Sequence, residues 1–431
     1  MRDGRAIADL LSRSFSAAVS AADPLNIVGR YLPAPPRGRT LLVGAGKAAA
    51  SMALAVETQW PDSSPLEGLV ITRYAHGLPL RRVRCVEAGH PVPDAAGEGA
   101  AAEILEQVAR LTPDDLLIAL ISGGGSSLLS LPMNGVSMAD LKTLTQALLR
   151  SGAPITDMNA VRKHLSRIQG GRLALASRAP VLALVISDVV GDDPSAIASG
   201  PCSPDPSTFS DAISILSRWR VDPPESIRRH LEAGREGRVD ETPKPGDERL
   251  SHVRTELIAT ARQSLSAAAA CFAAQGIQPI LLGDSVTGEA RDVAQAMASW
   301  VREIAQDRGG LVRRPAALIS GGECTVTVRE GGRGGRCTEF LLALALMVES
   351  LGVSQQVCAV AADTDGIDGM SEHAGAWLLP DTLDSARRLG LDPRHCLDVN
   401  NSLAVFEPLE QVLTTGPTRT NVNDYRAILI L

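Results

Sequence analysis

Apolar residues fall in two patterns along this chain. Ile7, Leu10, Leu11, Phe15, Ala18 and Val19 recur at three- and four-residue spacing and predict a helix over 6–22. Elsewhere they form short unbroken runs, at 40–43, 68–72, 115–122, 181–187, 278–282, 316–320 and 357–362. Runs of that kind, without polar alternation, predict strands buried on both faces of a parallel sheet. Helical stretches lie between them, at 48–56, 95–111, 253–275, 289–307 and 339–351. Residues 324–329 alternate and predict a further strand, and one more short strand begins at 412. Strand and helix in regular succession predict an α/β protein. Residues 234–248 are charged, rich in Gly and Pro, and without periodicity, so the domain boundary is placed there. The expected domains are 1–245 and 246–431.

The strands end in a consistent way. The run 40–43 breaks at Gly44-Ala-Gly46-Lys47 and an Ala-rich helix follows. Strand, glycine turn, helix start and cation make an anion site, because backbone N–H groups and the helix terminus face the ligand. Three readings stay open for this turn: a phosphate site, a dinucleotide site of the Gly44-x-Gly46-x-x-Ala49 kind, or a plain connector. The run 115–122 ends in Gly123-Gly124-Gly125-Ser126-Ser127, again a ligand-facing loop. Asn159, Arg162 and Lys163 stand on a basic helical stretch. The run 181–187 ends in Asp188, Asp192 and Asp193, and the run 316–320 ends in Gly-Gly-Glu323. Gly331-Gly-Arg333-Gly-Gly-Arg336 is read as a mobile basic turn. The run 357–362 ends in Asp363-Thr-Asp365-Gly-Ile-Asp368-Gly. That last loop has the spacing of a calcium site, but Ala374 occupies the twelfth position, so an EF-hand is rejected. Arg419 lies in a polar segment after the last short strand. Ligands in open parallel sheets bind beyond the carboxyl ends of strands. A two-domain enzyme with a cleft is the economical reading.

Composition narrows the ligand. The 431 residues carry a net charge of −7, with 45% hydrophobic and only 3% aromatic residues. The acidic balance speaks against general nucleic-acid or membrane-surface binding, so an anionic ligand needs locally gathered Lys and Arg. Seven cysteines without a C-x-x-C pair are read as reduced thiols in the cytoplasm. No signal-peptide run and no membrane-length apolar stretch is expected. Lysine, arginines, glycine turns and carboxylates are together the set that phosphoryl transfer needs, with Mg²⁺ on one or two carboxylates.

Eight segments taken in order resemble the class II glycerate 2-kinases. They are Val43–Lys47, Gly89-His-Pro-Val-Pro-Asp94, 121–127, 159–164, 187–193, 320–323, 363–369 and 415–421. The resemblance runs from about residue 41 to the C-terminus and is thin across 209–254. It implies ATP- and Mg²⁺-dependent phosphorylation of D-glycerate to 2-phosphoglycerate. It also implies a Rossmann-like three-layer N-terminal domain with a parallel sheet, a smaller C-terminal α/β domain with a MOFRL region at about 312–425, and an active site in the cleft between them. Lys47 and Arg336 would be the catalytic cations, and Asp188 is assigned a catalytic role beside them. Gly44, Gly46, Gly123, Gly124, Gly125 and Ser126 would bind nucleotide phosphates. Asn159, Arg162, Lys163 and Arg419 would bind substrate, and Asp193, Glu323, Asp363 and Asp365 would hold the metal. Cys337-Thr338 and Glu372-His373 depart from the family pattern. The partners implied are small molecules, and a homodimer is compatible with the sequence. The alternative is an NAD(P)-dependent hydroxypyruvate reductase, supported by the same Gly44 turn and by Arg73 beyond the second strand.

Overall fold

A computed structural model describes residues 4–307, 312–329 and 331–431. The chain folds as two compact units, one of residues 24–258 and the other of residues 1–23 with 259–431. The division therefore lies at 23/24 and at 258/259, whereas the sequence reading places one boundary at 245/246. The charged stretch 234–248 belongs to the 24–258 unit. Its composition marks a surface connection of that unit, and Glu241 and Thr242 tie it down through His164 and Asp205.

The 24–258 unit is built on a six-stranded sheet. Its strands are β1 (Thr40–Ala45), β2 (Leu66–Arg73), β3 (Val83–Ala88), β4 (Leu116–Ile121), β5 (Val181–Ile186) and β6 (Val253–Ala259). The order is β3-β2-β1-β4-β5-β6, and the pairs β1–β2, β2–β3, β1–β4 and β4–β5 run parallel. The apolar runs thus lie where a parallel sheet needs them. Every residue of β1, β4 and β5 is buried. Leu41, Val43 and Ala45 pack with Ile104 and Val108 of the helix Ala95–Ala109 on one face. A second apolar cluster sits under the helices Met138–Ser151, Ile155–His164, Phe209–Arg218 and Glu225–Arg235.

The other unit has a mixed sheet. Its strands are β7 (Gln278–Gly283), β9 (Ala316–Ser320), β11 (Val357–Asp363), β12 (Gly375–Leu378), β13 (Val412–Leu413) and β14 (Asp424–Ile430), in the order β13-β12-β11-β14-β9-β7. Two short strands, β8 (Gly288–Glu289) and β10 (Cys324–Thr325), pair separately. Only β7 and β9 are parallel neighbours; the other pairs of the large sheet are antiparallel. Alternation sorts the two cores. Val357, Ala359 and Ala361 of β11 face the helices Ala290–Ala305 and Arg336–Ser350, and Cys358, Val360 and Ala362 face the helices Gly4–Ala21 and Ala261–Ala273. Burial on both sides is what made β11 read as one continuous apolar run.

Two elements differ from expectation. Residues 253–275 do not form one helix: 253–259 is β6, and the helix starts at Ala261 behind a Thr260–Gln263 capping box. Local capping chemistry and the sheet edge beside β5 override the apolar spacing. The strand expected over 324–329 ends at Thr325, because among the described residues β8 pairs with Cys324 and Thr325 alone. All seven cysteines are free thiols. No helix among the described residues is long and apolar enough to cross a membrane.

Candidate functional site

In the 24–258 unit, two glycine turns interlock at the carboxyl ends of β1 and β4. Lys47 N–H donates to Gly123 O at 2.8 Å, and Ala48 N–H to Ser122 Oγ at 3.1 Å. Gly46 has φ 137°, and a Cβ there would meet the Ser122 carbonyl oxygen at 2.5 Å. No other residue fits that approach. A Cβ at Gly125 would meet Ala198 Cβ at 2.6 Å, and one at Gly124 would meet His90 Nε2 at 2.9 Å. The turns at 44–47 and 122–126 therefore form one surface, with Lys47 half-buried in it.

Beside them lies a polar cluster. Arg162 Nη1 donates to Asn159 Oδ1 at 2.6 Å and to Ser199 Oγ at 3.4 Å. Ser199 Oγ stands 2.8 Å from Ser126 Oγ. Ala198, Ser199 and Gly200 take consecutive left-handed conformations at φ 51°, 59° and 60°. Two non-glycine residues in that region store strain of about 1–3 kcal/mol each, a cost seen most at binding sites. Here it delivers the Ser199 hydroxyl to Arg162. Burial lowers the Arg162 pKa to about 10. No carboxylate pairs with this guanidinium among the described residues; Asn159 and Ser199, both neutral, are its hydrogen-bond partners. A half-buried cation whose partners are neutral suits a ligand that brings the counter-charge.

Lys163 goes elsewhere. Its Nζ lies 3.4 Å from Asp205 Oδ1, with the side chains 7% and 0% exposed. Buried in the interior against its own counter-ion, Lys163 is out of a substrate's reach, so its place is structural. The helix Ile155–His164 turns Asn159 and Arg162 to the cluster and Lys163 to the interior. Asp188 follows β5 and is half-buried. Asp193 accepts from Ser195 N and Ser195 Oγ, both at 2.9 Å, as a turn cap does.

The second unit gathers acids around Arg336, the first residue of its helix. Arg336 donates to Asp424 Oδ1, Glu323 Oε1 and Asp363 Oδ2, each at 2.7 Å. Burial alone would lower its pKa; the three carboxylates outweigh that and raise it. Arg333 forks onto Glu407 at 2.9 Å on both nitrogens, so the turn 331–336 is pinned at both arginines. Asp363 and Asp424 sit opposite each other in the β11–β14 register. The sequence shows Asp424 only as one polar residue among several; strand pairing brings it to Arg336. Asp368 is fully buried and accepts from the Cys337 and Thr338 N–H groups and the Thr338 hydroxyl. Burial lifts its pKa to about 6 against those bonds. Thr338 Oγ also accepts from Gly335 N–H at 3.0 Å, so Thr338 takes part in the cap that the helix start requires.

Glu323 and Asp363 thus come together, with Asp365 two residues on, while Asp193 lies in the 24–258 unit. Among the described residues no group of three or more metal-ligating side chains is arranged to hold an ion. Arg419 has φ 58° in a loop whose Thr418 N–H donates to Asp365 O at 3.0 Å. Sequence reasoning assigns no site role to Ser199, Asp368 or Asp424. For Ser199 the available signal was Ala-Ser-Gly-Pro at 198–201, a turn tetrad.

Two family models match: "Domain of unknown function (DUF4147)" over residues 10–232 and the MOFRL family over 316–424. A glycerate 2-kinase of Pyrococcus horikoshii is 40% identical across 90% of this chain and 86% of its own length. The crystal structure of a Thermotoga maritima glycerate kinase superposes with a TM-score of 0.87, at 36% identity, covering 99% of this chain and 100% of that one. The chain belongs to the glycerate 2-kinase family. Within the family, a protein of Agrobacterium vitis is 49% identical over 98% of this chain and 94% of its own length, and bears the name "Putative hydroxypyruvate reductase". The glycerate 2-kinase fold places the interlocked turns and the Arg162 cluster in the DUF4147 region and the Arg336 cluster in the MOFRL region.

Proposed function

We propose that the protein transfers the γ-phosphoryl group of ATP to the 2-hydroxyl of D-glycerate, giving 2-phosphoglycerate and ADP. The observation that carries this is Arg162: a half-buried guanidinium held by neutral oxygens beside a lysine-bearing double glycine turn. The substrate carboxylate supplies the missing counter-charge at Arg162, with Asn159 and Ser199 alongside. That leaves the 2-hydroxyl near the turns, where Lys47 and the N–H groups of 44–47 and 123–126 neutralise charge on the phosphoryl oxygens. Asp188 accepts the hydroxyl proton as the new O–P bond forms and the bond to ADP breaks. Arg336 is the cation that the MOFRL region offers to a nucleotide phosphate. Mg²⁺ brought with ATP would supply positive charge against that of the phosphates. Glu323 suits it best, because it is half-exposed and only one of its oxygens is committed to Arg336. Asp193, Asp363 and Asp365 spend oxygens on internal N–H groups. The working compartment is the cytoplasm.

The Agrobacterium name supports a second reading, reduction of hydroxypyruvate by NAD(P)H. That reading leaves the Arg336 cluster without a task. A coupled ADP-release assay with ATP, Mg²⁺ and a panel of hydroxy acids is expected to give turnover with D-glycerate. NADPH consumption with hydroxypyruvate, and no ADP release, would replace the first reading by the second.

A further inference from the structure

The MOFRL-containing unit holds a cavity of about 1090 Å³ beside Arg336. Small-molecule pockets run to roughly 300–1,000 Å³. A three-carbon hydroxy acid would leave most of this space empty. The reaction's other organic reactant is a nucleoside triphosphate, which is large enough to use it.

The lining has the matching chemistry. Val326, Val328 and Met370 stand along the wall, and Val328 and Met370 are 70% and 100% exposed. A flat base laid against them would remove apolar surface from water. Glu339 also lines the cavity, with its side chain only 2% exposed. Arg291 Nε at 2.5 Å and Asn400 Nδ2 at 3.1 Å both donate to its Oε1. Its Oε2 takes no hydrogen bond among the described residues. An acceptor on the cavity wall with no such bond is open to a donor from a ligand, such as a base amino group or a ribose hydroxyl. Arg336 lies at the boundary of the same cavity and is a cation for phosphates.

We propose that this cavity receives the nucleoside part of the phosphoryl donor, with its phosphate chain running to Arg336. The proposal rests on the kinase reading above. It adds that the base is held by the MOFRL region and not by the glycine turns of the other unit.

Two experiments on the full-length protein test it. In the first, 8-azido-ATP is photolysed on the unmodified protein with Mg²⁺ and the labelled peptides are mapped. Label is expected within 323–329, 331–339, 369–373 or 400–407. In the second, Val326→Trp fills the cavity, with folding checked by circular dichroism. It is expected to weaken binding of a fluorescent N-methylanthraniloyl-ATP by roughly tenfold, equivalent to about 1.4 kcal/mol, and to leave the KM for D-glycerate unchanged. Met370→Glu, at a fully exposed position, should weaken the same titration without risk to the fold. Label confined to 44–49 or 122–127, with both variants binding like the parent, would overturn the cavity assignment and leave the kinase reading standing. Failure of the parent protein to bind either nucleotide would overturn both.

Discussion

At the residue scale, two neighbours on one helix separate binding from stability. Arg162 has no carboxylate partner among the described residues, whereas Lys163 has Asp205. Arg162→Met should raise the KM for D-glycerate by roughly tenfold or more, the loss of a charge-assisted contact of 1.5–3 kcal/mol, without lowering the melting temperature. Lys163→Met should do the reverse: it strands Asp205 and costs about 3–5 kcal/mol of stability, with activity per folded molecule retained. Steady-state kinetics beside thermal melts read both, and a KM unchanged in Arg162→Met would remove it from the site. The two proposed catalytic cations also part company. Lys47→Met should keep its fold and lose about 10²–10³ in kcat. Arg336→Met should lose activity and also stability, because Asp363 and Asp424, only 5% and 1% exposed, would be left buried together. The sequence alone makes both substitutions look innocuous to folding. It shows Arg336 in a glycine turn but not the three acids that come to it from β10's approach, β11 and β14. A Lys47→Met enzyme with full kcat would exclude it from the chemistry.

At the element scale, the start of the helix Arg336–Ser350 depends on Asp368, a residue from another loop. Its pKa of about 6 stands above the ordinary aspartate value of 3.8, chiefly through burial, with Asp424 adding repulsion. The sign follows. The folded state binds this proton more tightly than the unfolded chain does. The associated stability is fully present below the unfolded value and is lost as pH rises through about 6, a change of order 3 kcal/mol. Denaturant titrations from pH 4 to pH 7 should show Asp368→Asn with a flatter profile than the parent across that window. Parallel profiles would contradict the assignment. Local elements of this kind were legible where one signal acted alone. β1, β4, β5 and β11 announced themselves because both their faces are buried. Residues 253–259 did not, because a strand beside β5 and a helix with apolar spacing write nearly the same pattern until Thr260 caps the helix.

At the scale of the whole molecule, the sequence suggested domains cut once along the chain, and the first helix crosses that cut. Gly4–Ala21 packs Ile7, Leu10, Leu11 and Phe15 against Leu265, Phe272 and Tyr425, and Tyr425 Oη donates to Ser14 Oγ at 2.8 Å. No linker marks this, since helix and partner are far apart in sequence and meet only when the unit forms. Phe15→Ala should therefore cost about 3–5 kcal/mol, with amide-exchange protection lost first in the helix Ala261–Ala273 and not in the parallel sheet. Early loss in β1 or β4 would reassign the helix to the other unit. The glycine turns and most candidate side chains could be named beforehand. Which of them share a site could not, because strand register, the left-handed run at 198–200 and the orientation of one helix decide it. The central claim is chemical, transfer of a phosphoryl group to the 2-hydroxyl of glycerate. Phosphorus NMR of the product formed from D-glycerate, ATP and Mg²⁺ tests it most directly. The account predicts a new phosphate ester coupled to a single methine proton. An ester coupled to two methylene protons, or no ester while NADPH is consumed with hydroxypyruvate, would contradict it.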